Sequence, residues 1–264
     1  MYSGEEFQHG LRTNIFGRML FVYDSIDSTN ASAKTLAAGG ATEGTVVIAD
    51  HQTAGRGRSG RTWLAEPGSS LLFSIIIRPA CSIDKVGLLP YVAAAGIADA
   101  VETLTGRKCE CKWPNDILMS GKKCCGILME SSFQNTMLEY VVIGIGLNVN
   151  QKIFPQQLGR TATSLLLETG KEFDRRAVFC QIMASLESRY IDAGRGDFDH
   201  ILKEWKARAS IFGKRITLTQ ASHTIGGIAL DLTDDGGLLV ETDTTRRVFH
   251  AGDVTITGKI RGHN

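Results

Sequence analysis

Residues 55–63 read Gly-Arg-Gly-Arg-Ser-Gly-Arg-Thr-Trp. Three glycines in nine residues favour a turning loop over a helix or a ladder. Apolar runs flank the stretch, Thr45–Asp50 before it and Ser70–Arg78 after it. The pattern predicts a glycine-rich loop between two strands. Glycine lets backbone N–H groups turn inward and approach a ligand closely. Arg56, Arg58 and Arg61 offer planar forks that match phosphate or carboxylate oxygens. Trp63 can stack on a flat ring. Such a loop suits an anion joined to an aromatic heterocycle. Arg/Gly runs also occur as solvated loops and general nucleic-acid contacts.

A chain of 264 residues can bury a sizeable core in one large domain or two unequal ones. Its net charge of +1 gives no global pull toward nucleic acid or membrane, so any basic function is local. No apolar run reaches membrane-spanning length, and the first residues lack the basic and apolar regions of a secretory signal. A cytoplasmic protein without membrane attachment is expected. The cysteines, Cys81, Cys109, Cys111, Cys124, Cys125 and Cys180, show no Cys-x-x-Cys or paired His spacing. They read as reduced thiols rather than a metal site.

Asp27-Ser28-Thr29-Asn30 opens the helix former Ala31–Ala38, which Gly39-Gly40 ends. Ser, Thr and Asn are N-cap residues, but a helix start also offers hydroxyls and free N–H groups to a polar ligand head. Asp84–Leu104 is a core helix, with Pro90 marking its start. Lys108–Trp113 reads as a strand broken by Pro114, and Ser120-Gly121 as a hairpin turn. Leu138–Asn150 is a strand ending in Gly144-Ile145-Gly146-Leu147-Asn148, whose small residues let a ligand lie against the backbone. Thr161–Leu165 resembles a cap before a short helix, and Asp174–Gly194 and Phe198–Ala209 are amphipathic. After Phe212-Gly213 come short β runs: Lys214–Thr219, Ile225–Asp231, Leu238–Glu241, Arg246–His250 and Val254–Thr257. Residues 260–264 read as a polar tail.

Gly-Arg-Gly-Arg-x-Gly-Arg-x-Trp over residues 55–63 is similar to the signature of biotin–protein ligases, with every defined position filled. Lys112-Trp113-Pro114-Asn115-Asp116 is a second match, and Lys123 with Gly126-Ile127-Leu128 a third. The resemblance covers about residues 20–257; Ser70, where many relatives carry Asn, is a mild departure. It implies an α+β fold: a class II synthetase-like domain with a mixed sheet flanked by helices, then a small SH3-like β barrel. The division expected is an extension or linker over 1–20, a catalytic domain over 21–211 and the barrel over 212–264. The implied reaction has two steps. Biotin and ATP give biotinyl-5′-AMP, with Mg²⁺ on the phosphates and no metal fixed by protein side chains. A lysine of a biotin carboxyl carrier domain then takes the biotinyl group.

By the same resemblance, Ser28, Thr29, Asn30, Gln52, Gly55, Arg56, Gly57, Arg58, Lys123, Gly144 and Gly146 bind biotin. Arg58, Arg61, Trp63 and Asn148 bind ATP or the adenylate. Arg56, Arg58, Lys112, Asp116 and Lys123 are the catalytic candidates. Lys123 meets the biotin carboxylate, and Asp116 orients or deprotonates the acceptor amine. Family members often dimerise through the catalytic sheet, and an exposed strand such as Leu138–Asn150 would serve a homodimer. Some members carry an N-terminal helix-turn-helix and act as repressors; residues 1–23 are too few for one, so the monofunctional type without DNA binding is expected. A lipoate ligase of the same fold and an Arg-loop nucleic-acid binder are the competing readings. Ordering residues 55–61 costs on the order of 10 kcal/mol, so the loop is expected to be mobile until ligand closes it.

Overall fold

The computed structural model describes residues 3–220 and 223–258; the polar tail expected over 260–264 lies outside them. Helix α1 (Gly4–Gln8) opens with a capping box, in which Ser3 and Glu6 satisfy each other's backbone N–H groups. Its Phe7 is buried edge-on against Phe179. Beyond it, the Glu187 carboxylate accepts from the N–H groups of Asn14, Ile15 and Phe16 at 2.7–2.8 Å. The segment expected as a linker is thus anchored to the body of the protein over these residues. Its anchor points lie more than a hundred positions away in the chain, beyond the reach of local pattern.

β1 (Leu20–Ile26), α2 (Thr29–Ala38), β2 (Val46–Gln52) and β3 (Ser70–Ile77) follow. A 3₁₀ turn over Ile83–Leu88 leads into α3 (Leu89–Thr105), with Pro90 in its first turn, where a missing N–H is tolerated. Next come β4 (Glu110–Lys112), β5 (Asp116–Met119), β6 (Lys122–Gln134) and β7 (Met137–Asn148). Ser120 and Gly121, both at positive φ, make the β5–β6 turn as expected. The helices α4 (Leu165–Thr169), α5 (Arg175–Gly194) and α6 (Phe198–Arg208) complete this part. Ser164 caps α4 through its hydroxyl, and Trp205 of α6 is buried.

The sheet order is β1-β2-β3-β7-β6-β5-β4. β1 and β2 run parallel; every other neighbouring pair is antiparallel. β7 lies between β3 and β6, so both its edges are already paired. This corrects the expectation that Leu138–Asn150 is an exposed strand available to a second copy. Its nearly continuous apolar run is what a central strand, buried on its faces, requires.

Alternation divides the two faces of the sheet. On β7, Ile143, Ile145 and Leu147 point into the large core with α3 and α5. Val142 points the other way, into a smaller cluster with Ala33 and Ala37 of α2. Gly144, Gly146 and Asn148 share that second face, which α2 covers only in part, and the remainder is a cleft. The stretch Ile83–Thr105 is long and apolar enough to cross a membrane by length and composition, yet most of it is buried inside the protein. Packing against α5 and α6 accounts for its apolar character.

The C-terminal part is an antiparallel sheet of β8 (Arg215–Gln220), β9 (His223–Leu232), β10 (Leu238–Glu241), β11 (Arg246–Phe249) and β12 (Asp253–Gly258). Its order is β11-β10-β9-β8-β12, close to the five runs expected. It meets the larger sheet domain at Gly236, whose carbonyl accepts from Tyr91 Oη at 2.5 Å and Trp113 Nε1 at 3.4 Å.

Candidate active site

The cleft holds about 460 Å³. Its walls bring together Ser28, Thr29, Asn30, Gln52, Arg56, Gly57, Arg58, Arg61, Trp63, Lys112, Asp116, Lys123, Gly144, Gly146 and Asn148. Of the residues expected at the site, Gly55 does not line this cleft; it lines a second, more open groove on the same loop. Gly55 supports the loop instead. Its carbonyl accepts from Trp63 N, and a Cβ there would stand 2.6 Å from the Trp63 carbonyl.

The arginine loop is folded back as a small hairpin. Gly57 N donates to Arg61 O at 2.7 Å and Trp63 N to Gly55 O at 3.0 Å, with Ser59 and Gly60 turning at positive φ. Two of its arginines have partners. Arg58 Nη1 donates to Asn115 Oδ1 at 3.3 Å, and Arg61 pairs with Asp253 of β12. Burial holds the Arg58 guanidinium below its ordinary range, against the opposing pull of Asp253 and Asp116. A half-buried cation with a weak partner is ready to accept an anion.

Trp63 lies over the floor of the cleft. A Cβ at Gly146 would stand 2.6 Å from its indole, and one at Gly126 2.9 Å. The expectation that the β7 glycines leave the backbone bare is therefore modified. In this state Gly146 receives Trp63, and Gly144 receives Asn30, whose Oδ1 would lie 2.0 Å from an added Cβ. The indole buries apolar area there, although its Nε1 is buried with no partner among the described residues. The Lys123 ammonium is 5.4 Å from the Trp63 ring centroid and 2.6 Å from Asp116 Oδ1. Lys112 pairs with Asp116 in the β4–β5 register, so the three charged residues share one corner.

At the inner end, Ser28 occupies the N-cap of α2, but its side chain makes no capping bond. Thr29 N donates instead to Gln52 Oε1 at 2.7 Å, so the first turn of α2 is met by Gln52 and not by the Ser28 hydroxyl. Asn30 Nδ2 donates to Leu128 O and Glu130 Oε2, and Ser74 Oγ donates to Asn30 Oδ1. At the other end, Asn148 Nδ2 donates to Thr163 O at 2.9 Å, while its Oδ1 is buried and unpartnered among the described residues. The segment after β7 closes this side, with Phe154, Leu158 and Ala162 in the wall. Lys123 and residues 161–163 exchange backbone hydrogen bonds that hold it there.

Sequence reading missed Ser74, Asn115 as the Arg58 partner, Asp253 and Phe154. Asn115 stood inside a recognised motif; the others carry no local signal, because only sheet pairing or domain packing brings them in. Among the described residues, no group of three His, Cys, Asp or Glu side chains is arranged to hold a metal ion.

Residues 22–148 match the family described as biotin/lipoate A/B protein ligase, and residues 211–257 the biotin protein ligase C-terminal domain. The bifunctional ligase/repressor BirA of Bacillus subtilis is 37% identical over 256 residues, covering 96% of this chain and 79% of its own. The biotin–[acetyl-CoA-carboxylase] ligase of Mycobacterium tuberculosis is 34% identical over 258 residues, covering 94% of each chain. Among solved structures, the biotin protein ligase of Aquifex aeolicus in complex with biotin and ATP aligns with a TM-score of 0.79. It is 28% identical and covers 91% of this chain and 99% of its own.

Proposed function

The chain belongs to the biotin–protein ligase family, and on that premise we propose how its own residues divide the work. It is an ATP-dependent ligase that activates biotin as biotinyl-5′-AMP and passes the biotinyl group to a carrier protein. In the first step a biotin carboxylate oxygen attacks the α-phosphorus of ATP, and the bond to the β-phosphate oxygen breaks to release pyrophosphate. In the second, the acceptor lysine amine attacks the acyl carbon, AMP leaves, and the amine loses a proton.

Ser28, Thr29, Asn30 and Gln52 take the ureido ring at the inner end of the cleft. Lys123 takes the carboxylate, then the acyl oxygen. Arg58 meets the α-phosphate and the charge that develops on it, with Arg56 and Gly57 beside it; Arg61 reaches the outer phosphates. Asn148 offers its unpaired Oδ1 to the nucleotide, and Trp63 rises from the glycine floor to cover the adenylate. Asp116 and Lys112 face the incoming amine. Mg²⁺, arriving with the nucleotide, would neutralise charge on its phosphates. Catalysis is then mainly positioning and charge stabilisation.

The observation that carries this reading is the gathering of unlike groups in one cleft: the polar neutral groups of Ser28, Thr29, Asn30 and Gln52, the Lys123 ammonium and the loop arginines. That set of chemistries matches a ligand with a neutral ring, a carboxylate and a phosphate. Residues 21–211 act as the catalytic domain and 212–264 as an accessory β domain that reaches the loop through Asp253. The protein acts in the cytoplasm. A homodimer, if formed through the sheet, must use β1, β4 or the stretch of β6 beyond β5, since β7 is paired. Its net charge of +1 supports a chain that does not bind DNA by itself. The test is biotin-dependent exchange of labelled pyrophosphate into ATP. Arg58→Ala should lower that exchange about 100-fold or more, the loss typical of one charge-stabilising donor. Wild-type exchange in the variant would remove the loop from the chemistry.

A further inference from the structure

Five cationic side chains of the cleft, Arg56, Arg58, Arg61, Lys112 and Lys123, meet only two carboxylates there, Asp116 and Asp253. Both carboxylates are already engaged. Asp116 Oδ1 stands 2.6 Å from the Lys123 ammonium, and Asp253 pairs with Arg61. Among the described residues, the hydrogen-bond partner of the Arg58 guanidinium is a neutral amide, that of Asn115. Asp253, Asp116 and the Tyr91 hydroxyl lie near enough to favour the Arg58 charge, while Arg61 and burial oppose it, burial most of all. The Tyr91 hydroxyl is itself spent on the Gly236 carbonyl. Arg58 therefore keeps a charge that no carboxylate of its own balances.

Asn115 stands just before β5 and is fastened twice to a single residue of β6. Ile127 N donates to Asn115 O at 3.0 Å, and Asn115 Nδ2 donates to Ile127 O at 2.5 Å. A carbonyl can only accept, so Nδ2 faces it, and Oδ1 is left for Arg58 Nη1 at 3.3 Å. The reversed amide would set oxygen against oxygen on one side and donor against donor on the other. Ile127 is buried in the large core, so the acceptor that Arg58 meets belongs to a fixed part of the sheet. Arg58 itself rides on the glycine loop. A carboxylate in this place would hold the guanidinium more tightly but would also neutralise it. The amide gives Arg58 a direction and leaves its charge to a ligand.

We propose that Asn115 is a positioning residue that aims the Arg58 guanidinium into the cleft and, being uncharged, keeps that charge for the α-phosphate of the adenylate. It acts through Arg58 and touches no reacting atom. This rests on the assignment of Arg58 to the α-phosphate, so the test separates the two.

Biotin-dependent pyrophosphate exchange is measured in Asn115→Ala, Asn115→Asp, Arg58→Ala and the double variant Asn115→Ala/Arg58→Ala, with thermal unfolding of each. Asn115→Ala removes the aim but not the charge, and exchange should fall about 10-fold. Asn115→Asp keeps an acceptor for Arg58 but adds a counter-charge, so exchange should fall about 100-fold, close to the loss in Arg58→Ala. Where Arg58 is already gone, adding Asn115→Ala should change exchange by less than about twofold. A role confined to tying β5 to β6 predicts otherwise. Both Asn115 variants lose the bond to Ile127 alike, so their losses would be equal, and they would be the same with or without Arg58. Exchange in Asn115→Asp at or above that in Asn115→Ala would overturn the proposal. So would an Asn115→Ala loss that persists undiminished in the Arg58→Ala background. The aspartate comparison with wild type and the alanine cycle are read independently, so one decides where the other variant does not fold. If Arg58→Ala exchanges at the wild-type rate, the phosphate assignment falls and the proposal with it; if Arg58→Ala is impaired and either overturning result appears, only the role of Asn115 is wrong.

Discussion

The Lys123 ammonium stands 2.6 Å from the Asp116 carboxylate, in the wall of the cleft that must also receive a substrate carboxylate. Both side chains keep partial contact with solvent, at 33% and 20% exposure, so the pair is worth about 1 kcal/mol or less. A bound carboxylate can therefore take Lys123 over at little cost and release Asp116 to the second half-reaction.

That exchange of partners separates the two steps in Asp116→Asn. Pyrophosphate exchange should remain within about tenfold of wild type, because Lys123 and Arg58 are intact. Transfer to the carrier should fall about 100-fold or more at neutral pH, the range of a lost general base. Single-turnover transfer from preformed adenylate measures it. Wild-type transfer from about pH 6 to 9 would end the base role for Asp116.

The Arg61–Asp253 pair links the arginine loop to β12 and predicts a dynamic effect. The pair is largely exposed, so it biases the loop without locking it. Hydrogen exchange of residues 55–63 should be fast in the free protein and slow in the adenylate complex, as the glycine content demands. Asp253→Ala should quicken exchange in the free protein by up to about fivefold. Slow exchange across 55–63 without ligand, unchanged by the substitution, would contradict a loop that closes on its ligand.

Much of the site could be read in the chain because its signals are local. The loop's glycines and arginines, the polar start of α2 and the lysine of the Lys-x-x-Gly-Ile-Leu run all lie in short stretches. Most of them converge on one cleft. What stayed hidden depends on pairing at long range. Ser74 looks like any strand serine until β3 lies beside β7 and sets it against Asn30. Asp253 is one acidic residue at a strand start until the C-terminal sheet brings it to Arg61. Which strands flank β7 was hidden for the same reason, since its apolar run asks for burial without naming the neighbours, β3 and β6, that supply it.

The buried thiols give a pH prediction whose sign is fixed by burial. Cys109 and Cys111 flank Glu110 on the same face, and burial pushes both thiols up to about 12. In the unfolded chain they ionise near pH 8.5. The native state therefore favours the neutral thiol. Its stabilising effect is fully present below about pH 8.5 and is lost as pH rises toward 12, by about 1.4 kcal/mol per pH unit for each thiol. Urea unfolding at about pH 8, 9.5 and 10.5 should show this fall, and Cys111→Ala should flatten it by about one thiol's share. An equal slope in the variant would show that Cys111 does not resist ionisation in the native state.

Gly144 and Gly146 sit on the same face of β7 but should fail differently when changed to alanine. At Gly146 the added methyl meets the indole of Trp63, at the base of a loop that can move away. The strand keeps its pairing with Leu72 and Gly126, so stability should change by less than about 1 kcal/mol. The loop, however, loses its resting place, and ATP and biotin KM should rise together. At Gly144 the methyl meets Asn30 Oδ1, which Ser74, Leu128 and Glu130 hold in place. Relief there requires breaking buried hydrogen bonds, so Gly144→Ala should cost about 1–3 kcal/mol in stability. It should also raise the biotin KM far more than the ATP KM, because the displaced group belongs to the ring end of the cleft. Chemical unfolding and initial-rate kinetics on both variants distinguish these outcomes. Equal stability losses and equal effects on both substrates would mean that the two glycines serve one undivided floor.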